Sequence, residues 1–163
     1  MSYSIRPAVI SELPQILDIY QKARQFMRDT GNPGQWGDQH PAESILRDDI
    51  AKEQLFLCTD DGEILCVFAY IPGNDPTYLT IEGGQWLNDE PYGVIHRMAV
   101  SRQGHGIASH CFDWALGQCP NLRIDTHEKN LPMQTALRKS GFTRCGTIYL
   151  LSGDPRIAFH KHL

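Results

Sequence analysis

The sequence predicts one α/β (α+β) domain over residues 1–163, with a mixed central β-sheet of six to seven strands and helices on both faces. Two apolar runs, 55–59 and 64–71, flank the segment 60–62 (DDG), whose residues readily adopt the backbone angles of a hairpin turn. Further along the chain, apolar strands alternate with helical patterns, and strand–helix–strand units of this kind place their strands parallel. A hairpin followed by such units indicates a mixed sheet.

The individual elements follow from periodicity and turn residues. After an extended start at 3–7, Ser11 is a candidate N-cap for a helix whose apolar residues recur at helical spacing as far as Met27. The segment 31–41 (GNPGQWGDQHP) breaks this periodicity and predicts a loop, and 42–54 predicts a second helix. After the hairpin come a polar and aromatic loop (73–93), a strand (94–100), a helix (107–117), a strand (122–126), a helix (131–140) and two strands (142–151 and 156–160).

Composition and charge exclude several classes of protein. Hydrophobic residues make up 41% and charged residues 21%, as in an ordinary globular domain. The formal net charge is −4, so neither nucleic acid nor a membrane is an expected partner. No signal peptide or membrane span is predicted. The odd number of cysteines and the absence of a C-x-x-C pair favour reduced, structural thiols and a cytoplasmic location. They are Cys58, Cys66, Cys111, Cys119 and Cys145.

The most informative segment is 98–116 (MAVSRQGHGIASHCFDWAL), where an apolar strand stops, a loop turns and a helix starts. Gly104 and Gly106 allow the backbone to approach a ligand without an intervening side chain. Backbone N–H groups at a helix start complement anionic oxygens, so this segment predicts a phosphate or pyrophosphate site. The spacing excludes a P-loop, and the third glycine of a dinucleotide-binding motif is missing.

The segment 103–108 (QGHGIA) resembles the Q/R-x-x-G-x-G/A signature of the GCN5-related N-acetyltransferases (GNATs). A second segment, 130–142 (NLPMQTALRKSGF), resembles the N-x(8)-K-x-G-F segment of the same family. The resemblance extends over essentially the whole chain. It implies the GNAT fold, acetyl-coenzyme A as acyl donor, no metal, and N-acetyltransferase activity. The cofactor-binding residues that it implies are Met98, Ala99, Val100, Gln103, Gly104, His105, Gly106, Ile107, Ala108, Asn130 and Lys139, with the backbone of the first three pairing with the pantetheine arm.

The chain departs from the family at two points. The link from Val100 to Gln103 is shorter than is usual. Many members carry a tyrosine seven residues after the matching asparagine, and its hydroxyl protonates the departing thiolate; here that position is Leu137. Tyr149 and Cys145 are alternative acids, and solvent or the proton that leaves the new amide is another.

His96 is the candidate general base. Neutral amines are the nucleophiles of acetyl transfer, and a positioned base accelerates such steps by about 10²–10⁴-fold. In serotonin N-acetyltransferases, which share the GNAT fold, the matching position is also a histidine that assists deprotonation. Strict alternation places His96 on the same strand face as Val94, Met98 and Val100. The alternative is a structural histidine hydrogen-bonded to a neighbouring strand.

Two other features of the titratable residues have more than one interpretation. Asp125 and His127 end a strand at its carboxyl side, where open sheets place their crevices, or they are simply polar residues that enter a loop. A zinc site formed by His96, His127 and a cysteine is not required by any spacing.

The two aperiodic loops, 31–41 and 73–93, are expected to flank the cleft and to select the acceptor. Trp36, Glu82 and Trp86 are the candidate acceptor-binding residues, because aromatic faces and a carboxylate suit a cationic, partly apolar amine. The alternative is that the tryptophans anchor the loops to the domain.

Three functions are compatible with these residues: acetylation of a small-molecule amine, acetylation of a protein or peptide amine, and sensing of acyl-coenzyme A without turnover. Apolar terminal strands are compatible with a homodimer.

Overall fold

Seven strands form one mixed sheet in the computed structural model, which describes residues 2–163. In chain order the elements are β1 (Ser4–Pro7), α1 (Leu13–Asp29), α2 (Glu43–Ala51), β2 (Leu55–Asp60), β3 (Glu63–Pro72), β4 (Gly93–Val100), α3 (Ile107–Gln118), β5 (Asn121–Thr126), α4 (Leu131–Lys139), β6 (Thr143–Tyr149) and β7 (Pro155–His162), with short 3-10 turns at Ile10–Glu12 and Pro76–Tyr78. The spatial order of the strands is β1-β2-β3-β4-β5-β7-β6, and β4 and β5 pair in parallel while the other neighbours are antiparallel. The predicted mixed sheet is confirmed.

The β2–β3 hairpin forms where the sequence predicts it. Asp61 and Gly62 have φ angles of 50° and 81°, both in the left-handed region that a two-residue hairpin turn requires. Aspartate tolerates this region and glycine adopts it at no steric cost, so the two residues set the register of the hairpin.

Two local predictions are wrong. Ser11 does not cap α1, because a 3-10 turn precedes the helix, and it is the carboxylate of Glu12 that accepts the Val9 N–H (3.0 Å) at this corner. The unit β5–α4–β6 does not make parallel neighbours either. β7 returns by a hairpin and lies between them, pairing antiparallel with both β5 and β6.

Helices cover both faces of the sheet, as predicted. On one face α3 and α4 pack over the central strands, with Phe112 and Leu137 among their fully buried side chains. On the other face α1 and α2 bury Tyr20 and Leu46 against β2, β3 and β4. The 73–92 loop completes this second face, and Tyr78 is its buried anchor. The second face is therefore part helix and part loop, which leaves room for a cavity between the two parts.

The strict alternation predicted for β4 is wrong, because β4 contains a β-bulge at Arg97. Ala69 of β3 pairs with His96, and Val67 pairs with Ala99, so three steps along β4 match two along β3. Arg97 takes a φ of 55° at this point. The extra residue reverses the side of the sheet to which the following side chains of β4 point.

As a result, the residues before and after the bulge face different sides of the sheet. His96 faces the α1 side of the sheet, whereas Met98 and Val100 pack into the core beneath α3. The bulge therefore places the candidate base, His96, on one side of the sheet and the side chains of Met98 and Val100 on the other.

Candidate active site

A cleft opens in the sheet because β4 and β5 separate after their first residues. Their parallel pairing consists of Gly93 with Leu122 and Val94 with Arg123. Beyond Val94, the edge of β4 that faces β5 has no strand partner within the described residues. Unpaired backbone N–H and C=O groups along such an edge can bind an extended ligand as a further strand would.

A cavity of about 530 Å³, called here the central cavity, occupies the open end of this cleft. His96 and Met98 from β4 and Asp125 and Thr126 from β5 line it, and residues from both aperiodic loops contribute as well. Its size lies in the range of pockets that take small organic ligands. The side chain of Thr126 is buried, and its hydroxyl has no hydrogen-bond partner among the described residues.

A narrow channel of about 60 Å³, called here the β4–α4 channel, adjoins the central cavity. The residues that line both spaces are Met27, Met98, Asn130 and Met133. The channel also touches Ala99, Val100, Gln103 and Ala108, which were predicted from the family resemblance to contact the cofactor. It therefore connects the start of α3 with the central cavity along the free edge of β4.

The loop before α3 has the backbone that an anion-binding turn requires. Gly104 and Gly106 have φ angles of 79° and 69°, and a Cβ atom placed on either would meet nothing within 4 Å. Gly106 is the N-cap residue of α3, so the first N–H groups of that helix point into open space. The side chain of Ile107 is buried in the core, and His105 is exposed.

The two basic residues near this loop lie differently. Arg102 is held by Glu63, with its Nη2 atom 2.6 Å and 2.8 Å from the two carboxylate oxygens. Lys139 is exposed at the C-terminal end of α4 and lines neither the central cavity nor the β4–α4 channel. Neither Arg102 nor Lys139 therefore lines the central cavity or the β4–α4 channel.

Asn130 connects three parts of the site. Its Oδ1 atom accepts the Met133 N–H (3.1 Å) and so caps α4, while its Nδ2 atom donates to Gln35 Oε1 (2.9 Å). Gln35 Oε1 also accepts from Asn32 (2.8 Å). Through these bonds the 31–41 loop is fixed above the start of α4, at the junction of the channel and the central cavity.

His96 is paired with a carboxylate that the sequence analysis did not identify. His96 Nε2 lies 2.8 Å from Asp75 Oδ2, and Asp75 Oδ1 accepts from both the backbone N–H and the hydroxyl of Thr77 (2.9 Å and 2.6 Å). Burial alone would raise the pKa of Asp75, but the hydrogen bonds from His96 and Thr77 outweigh it and lower that pKa to about 2. An ionised Asp75 fixes the proton of the neutral imidazole on Nε2 and leaves the Nδ1 lone pair free to accept a proton. The partner belongs to the 73–92 loop and not to a neighbouring strand.

A second carboxylate lies on the same face of the sheet. Asp125 Oδ2 accepts the hydroxyl proton of the buried Tyr78 at 2.7 Å. Burial raises the pKa of Asp125 and also that of the Tyr78 hydroxyl. His127, the other member of the predicted pair, does not line the cavity, because its ring accepts the Lys129 N–H (3.0 Å) within its own turn.

The predicted acceptor residues separate into two groups. Trp36 lines the central cavity and packs against Tyr20, with ring centroids 5.6 Å apart. Glu82 and Trp86 lie outside this lining, so the structure does not bring them together with Trp36 at the central cavity. Glu82 pairs through its backbone with Thr147 on β6 and is exposed, which leaves it at the edge of the sheet.

Trp86 is a loop anchor. Its indole N–H donates to the Tyr78 carbonyl at 2.9 Å, and its ring lies over the Arg123 guanidinium, 4.3 Å from the ring centroid. The edge of the same ring faces His160. These contacts hold the 73–92 loop on the sheet, which was the alternative interpretation of the tryptophan.

The two alternative acids on β6 do not reach the central cavity. The Tyr149 hydroxyl donates to Glu82 at 2.9 Å on the outer surface, and the Cys145 thiol contacts the Thr143 carbonyl. Leu137, at the position of the usual tyrosine, is fully buried on the inner face of α4. Among residues 2–163, no group of three or more His, Cys, Asp and Glu side chains is arranged to hold a metal ion. In the same range no helix is long and apolar enough to cross a membrane.

Comparisons with solved structures identify the class of fold. An acetyltransferase of the GNAT family from Streptococcus agalactiae 2603 is 33% identical in sequence, with a TM-score of 0.90 over 99% of this chain and 95% of that one. A GNAT-family acetyltransferase from Listeria monocytogenes 4b F2365 is 20% identical, with a TM-score of 0.71 over 99% and 95% of the two chains. The yncA protein of Salmonella typhimurium, solved with its cofactor acetyl-CoA, is 13% identical, with a TM-score of 0.65 over 100% and 95%.

The fold is therefore that of an acetyltransferase, with a sheet that opens between its two parallel strands. At 33% identity over nearly the full length of both chains, the protein belongs to the GNAT family. A scan against protein-family models finds no match, and a search of curated protein sequences finds none either.

Proposed function

We propose that this protein transfers the acetyl group of acetyl-coenzyme A to the primary amine of a small molecule, with His96 as the general base. One observation carries the proposal: the His96–Asp75 pair lines a cavity that meets the β4–α4 channel beside the free edge of β4. In this arrangement a base faces the end of a channel suited to an extended thioester.

The donor would lie along the channel with its phosphates at the start of α3. The N–H groups after Gly104 and Gly106 supply donors for the pyrophosphate, and the free backbone of 98–100 supplies partners for the pantetheine amides. Asn130 lies at the junction of the channel and the central cavity. Its hydrogen bonds hold the 31–41 loop in a fixed position relative to the start of α4. Lys139 contributes only long-range positive charge in this proposal.

The chemical step uses few groups of the protein. The substrate ammonium loses a proton to Nδ1 of His96, and Asp75 stabilises the resulting imidazolium. The neutral nitrogen attacks the thioester carbonyl carbon, a C–N bond forms, and the C–S bond breaks to release the coenzyme A thiolate. The nitrogen then loses its second proton, and the thiolate takes up a proton, so the products are an amide and free coenzyme A. Because Leu137 replaces the usual acid, the proton released from nitrogen is the nearest source for the sulfur.

The shape of the cavity favours a small acceptor over a protein surface. Gln35 and Trp36 of the 31–41 loop extend over the central cavity, and the hydrogen bonds of Asn130 hold that loop in place. A peptide amine would have to reach His96 beneath this loop. A volume of about 530 Å³ suits a small molecule.

Mass spectrometry of acetyl transfer to a panel of small primary amines and peptides tests the proposal. We expect transfer to at least one small amine, with kcat/KM higher than for any peptide. A higher kcat/KM for peptide N-termini or lysines would replace the small-molecule acceptor with a protein one. Tight binding of acetyl-coenzyme A with no transfer to any amine would indicate a sensor and overturn the enzymatic proposal.

A further inference from the structure

Arg156 is a buried guanidinium in the lining of the central cavity that has no ion-pair partner among the described residues. It is 6% exposed, and its nitrogens donate only to two backbone carbonyls, those of Pro155 (2.9 Å) and Gln35 (3.3 Å). Asp125 and Asp154 act on it through space without forming an ion pair with it. Guanidinium N–H groups of Arg156 therefore remain available to a ligand. Burying a charged group costs free energy unless an oppositely charged or hydrogen-bonding partner compensates it.

The other two arginines in this part of the sheet, Arg97 and Arg123, are placed differently from Arg156. Arg97, which also lines the cavity, donates to both carboxylate oxygens of the buried Asp49 at 2.9 Å and 3.0 Å. Arg123 is buried one strand away, where it stacks on Trp86 and Tyr92 outside the cavity. Arg156 is thus the cavity arginine that lacks a carboxylate in the described part of the chain.

Arg156 faces the same side of the sheet as the base. On β4, His96 lies two residues after Val94, and on β5 Asp125 lies two residues after Arg123, which pairs with Val94, so both side chains face the same side of the sheet where the two strands separate. On β7, Arg156 lies two residues before Ala158, which pairs with Asp125. All three side chains line the central cavity. They form a row across the sheet of a base, a carboxylate and a guanidinium.

This row has two chemically distinct ends. At one end Asp125 keeps a carboxylate oxygen beyond the one that accepts from Tyr78, and it faces His96, where an ammonium group would bind and lose its proton. At the other end Arg156 presents donors in the fork that matches a carboxylate. β5 and β7 stay paired at Asp125 and Ala158, and paired strands lie roughly 5 Å apart. Arg156 lies two residues along β7 from Ala158, so a short molecule spans the distance from Asp125 to Arg156.

We infer that the acceptor is an amino acid, an amine that also carries a carboxylate, with its nitrogen between His96 and Asp125 and its carboxylate on Arg156. This inference rests on the proposed function and narrows its substrate class. It differs from the purely cationic amine that the loop residues Glu82 and Trp86 suggested, because those residues lie outside the cavity and Arg156 lies within it.

Matched pairs of substrates test the inference directly. The probes are lysine with cadaverine, tyrosine with tyramine and histidine with histamine, each pair differing by one carboxylate, together with tyrosinamide, in which a neutral amide replaces the carboxylate. We expect at least one amino acid to have a kcat/KM about 10-fold or more above that of its decarboxylated partner. Arg156→Gln should lower kcat/KM for that amino acid by about 10- to 100-fold, the usual cost of losing hydrogen bonds to a charged group, and leave the decarboxylated amine nearly unchanged.

The control is Arg123→Gln, which removes an equally buried arginine from outside the cavity. It should lower the melting temperature and leave the preference for the carboxylate intact. Arg156→Lys keeps the charge without the fork, so we expect an intermediate preference, and this variant serves if Arg156→Gln does not fold.

The outcomes separate the inference from the proposed function. Preference for the decarboxylated partner in all three pairs, or a preference that survives the loss of Arg156, would overturn the inference while acetyl transfer stands. If wild-type protein acetylates no amine at all, the proposed function fails. Calorimetric titration with lysine, tyrosine and histidine then decides the inference: binding that Arg156→Gln abolishes supports it, and no binding of any of the three overturns it.

Discussion

His96 Nε2 lies 2.8 Å from Asp75 Oδ2, although the two residues are 21 positions apart in the sequence. The contact joins the middle of β4 to the 73–92 loop, and Thr77 donates two hydrogen bonds to the other oxygen of the carboxylate. Asp75 therefore orients the imidazole and selects its tautomer. Mutations of His96 and Asp75 can therefore show whether His96 has a catalytic role or only a structural one.

We expect His96→Gln to lower kcat by about 10²-fold or more, because the base is lost, and to leave the affinity for acetyl-coenzyme A unchanged. Asp75→Asn should lower kcat as well, because asparagine cannot stabilise the imidazolium. Asp89→Asn removes an exposed carboxylate from the same loop and should have no effect on kcat. Steady-state kinetics and calorimetry measure both quantities. Normal kcat in a folded His96→Gln variant with reduced thermal stability would assign His96 a structural role.

Gly106→Val should abolish the thermal stabilisation by acetyl-coenzyme A. A ligand at about 100 times its dissociation constant stabilises the native state by about 2.7 kcal/mol. The valine side chain would project into the open space in front of α3, where the phosphates are expected. Gly62→Val imposes the same left-handed strain in the β2–β3 turn, where a Cβ also meets nothing, and should keep the ligand-induced shift. A folded Gly106→Val variant with an unchanged shift would contradict the assignment of this loop.

Asp49→Ala should destabilise the protein by about 3–5 kcal/mol, because it leaves the Arg97 guanidinium without its buried partner. The neighbouring Asp48 is exposed and pairs with Lys52 at 2.9 Å, so Asp48→Ala should cost less than about 1 kcal/mol. Urea denaturation of the two variants gives both values. Equal costs would show that the buried pair does not hold the β4 bulge in place.

His160 should make the stability of the protein fall in weak acid. Burial, and then the positive charge of Arg123, lower the pKa of His160 from 6.5 to about 4, and its Nδ1 atom accepts the Leu87 N–H (3.0 Å) in the neutral form. A histidine with a lowered folded-state pKa contributes stability that is complete above pH 6.5 and is lost as the pH falls toward 4. The shift corresponds to about 3 kcal/mol.

Unfolding free energies between pH 7 and pH 4 test this expectation. The stability of His160→Gln should depend less on pH in this window than that of the wild type, whereas His162→Gln, at the exposed end of the same strand, should change the slope far less. Parallel curves for the wild type and His160→Gln would show that His160 does not contribute this pH dependence.

The sequence determined the features that depend on local chemistry. The residues of the DDG turn fixed the β2–β3 hairpin, and apolar periodicity located every helix and strand to within a few residues. The glycines at 104 and 106 predicted a turn with left-handed backbone angles before α3, because only local backbone angles are needed there. The family followed from two short segments, 103–108 and 130–142, because each motif is a continuous stretch of the chain.

The tertiary structure decided what depends on contacts between distant segments. The bulge at Arg97 is stabilised by Asp49 from α2 and by the Tyr20 hydroxyl from α1, which donates to the Arg97 carbonyl at 2.7 Å, so strict alternation could not reveal it. Asp75 and Arg156 reach the cavity from a loop and from the last strand, and neither belongs to a recognisable motif. Their only sequence signal was a charge in an otherwise aperiodic or apolar setting. A binding site assembled from separate elements forms only when the folded sheet brings those elements together. For this reason the sequence predicted a donor site, whereas the candidate acceptor site became visible only in the tertiary structure.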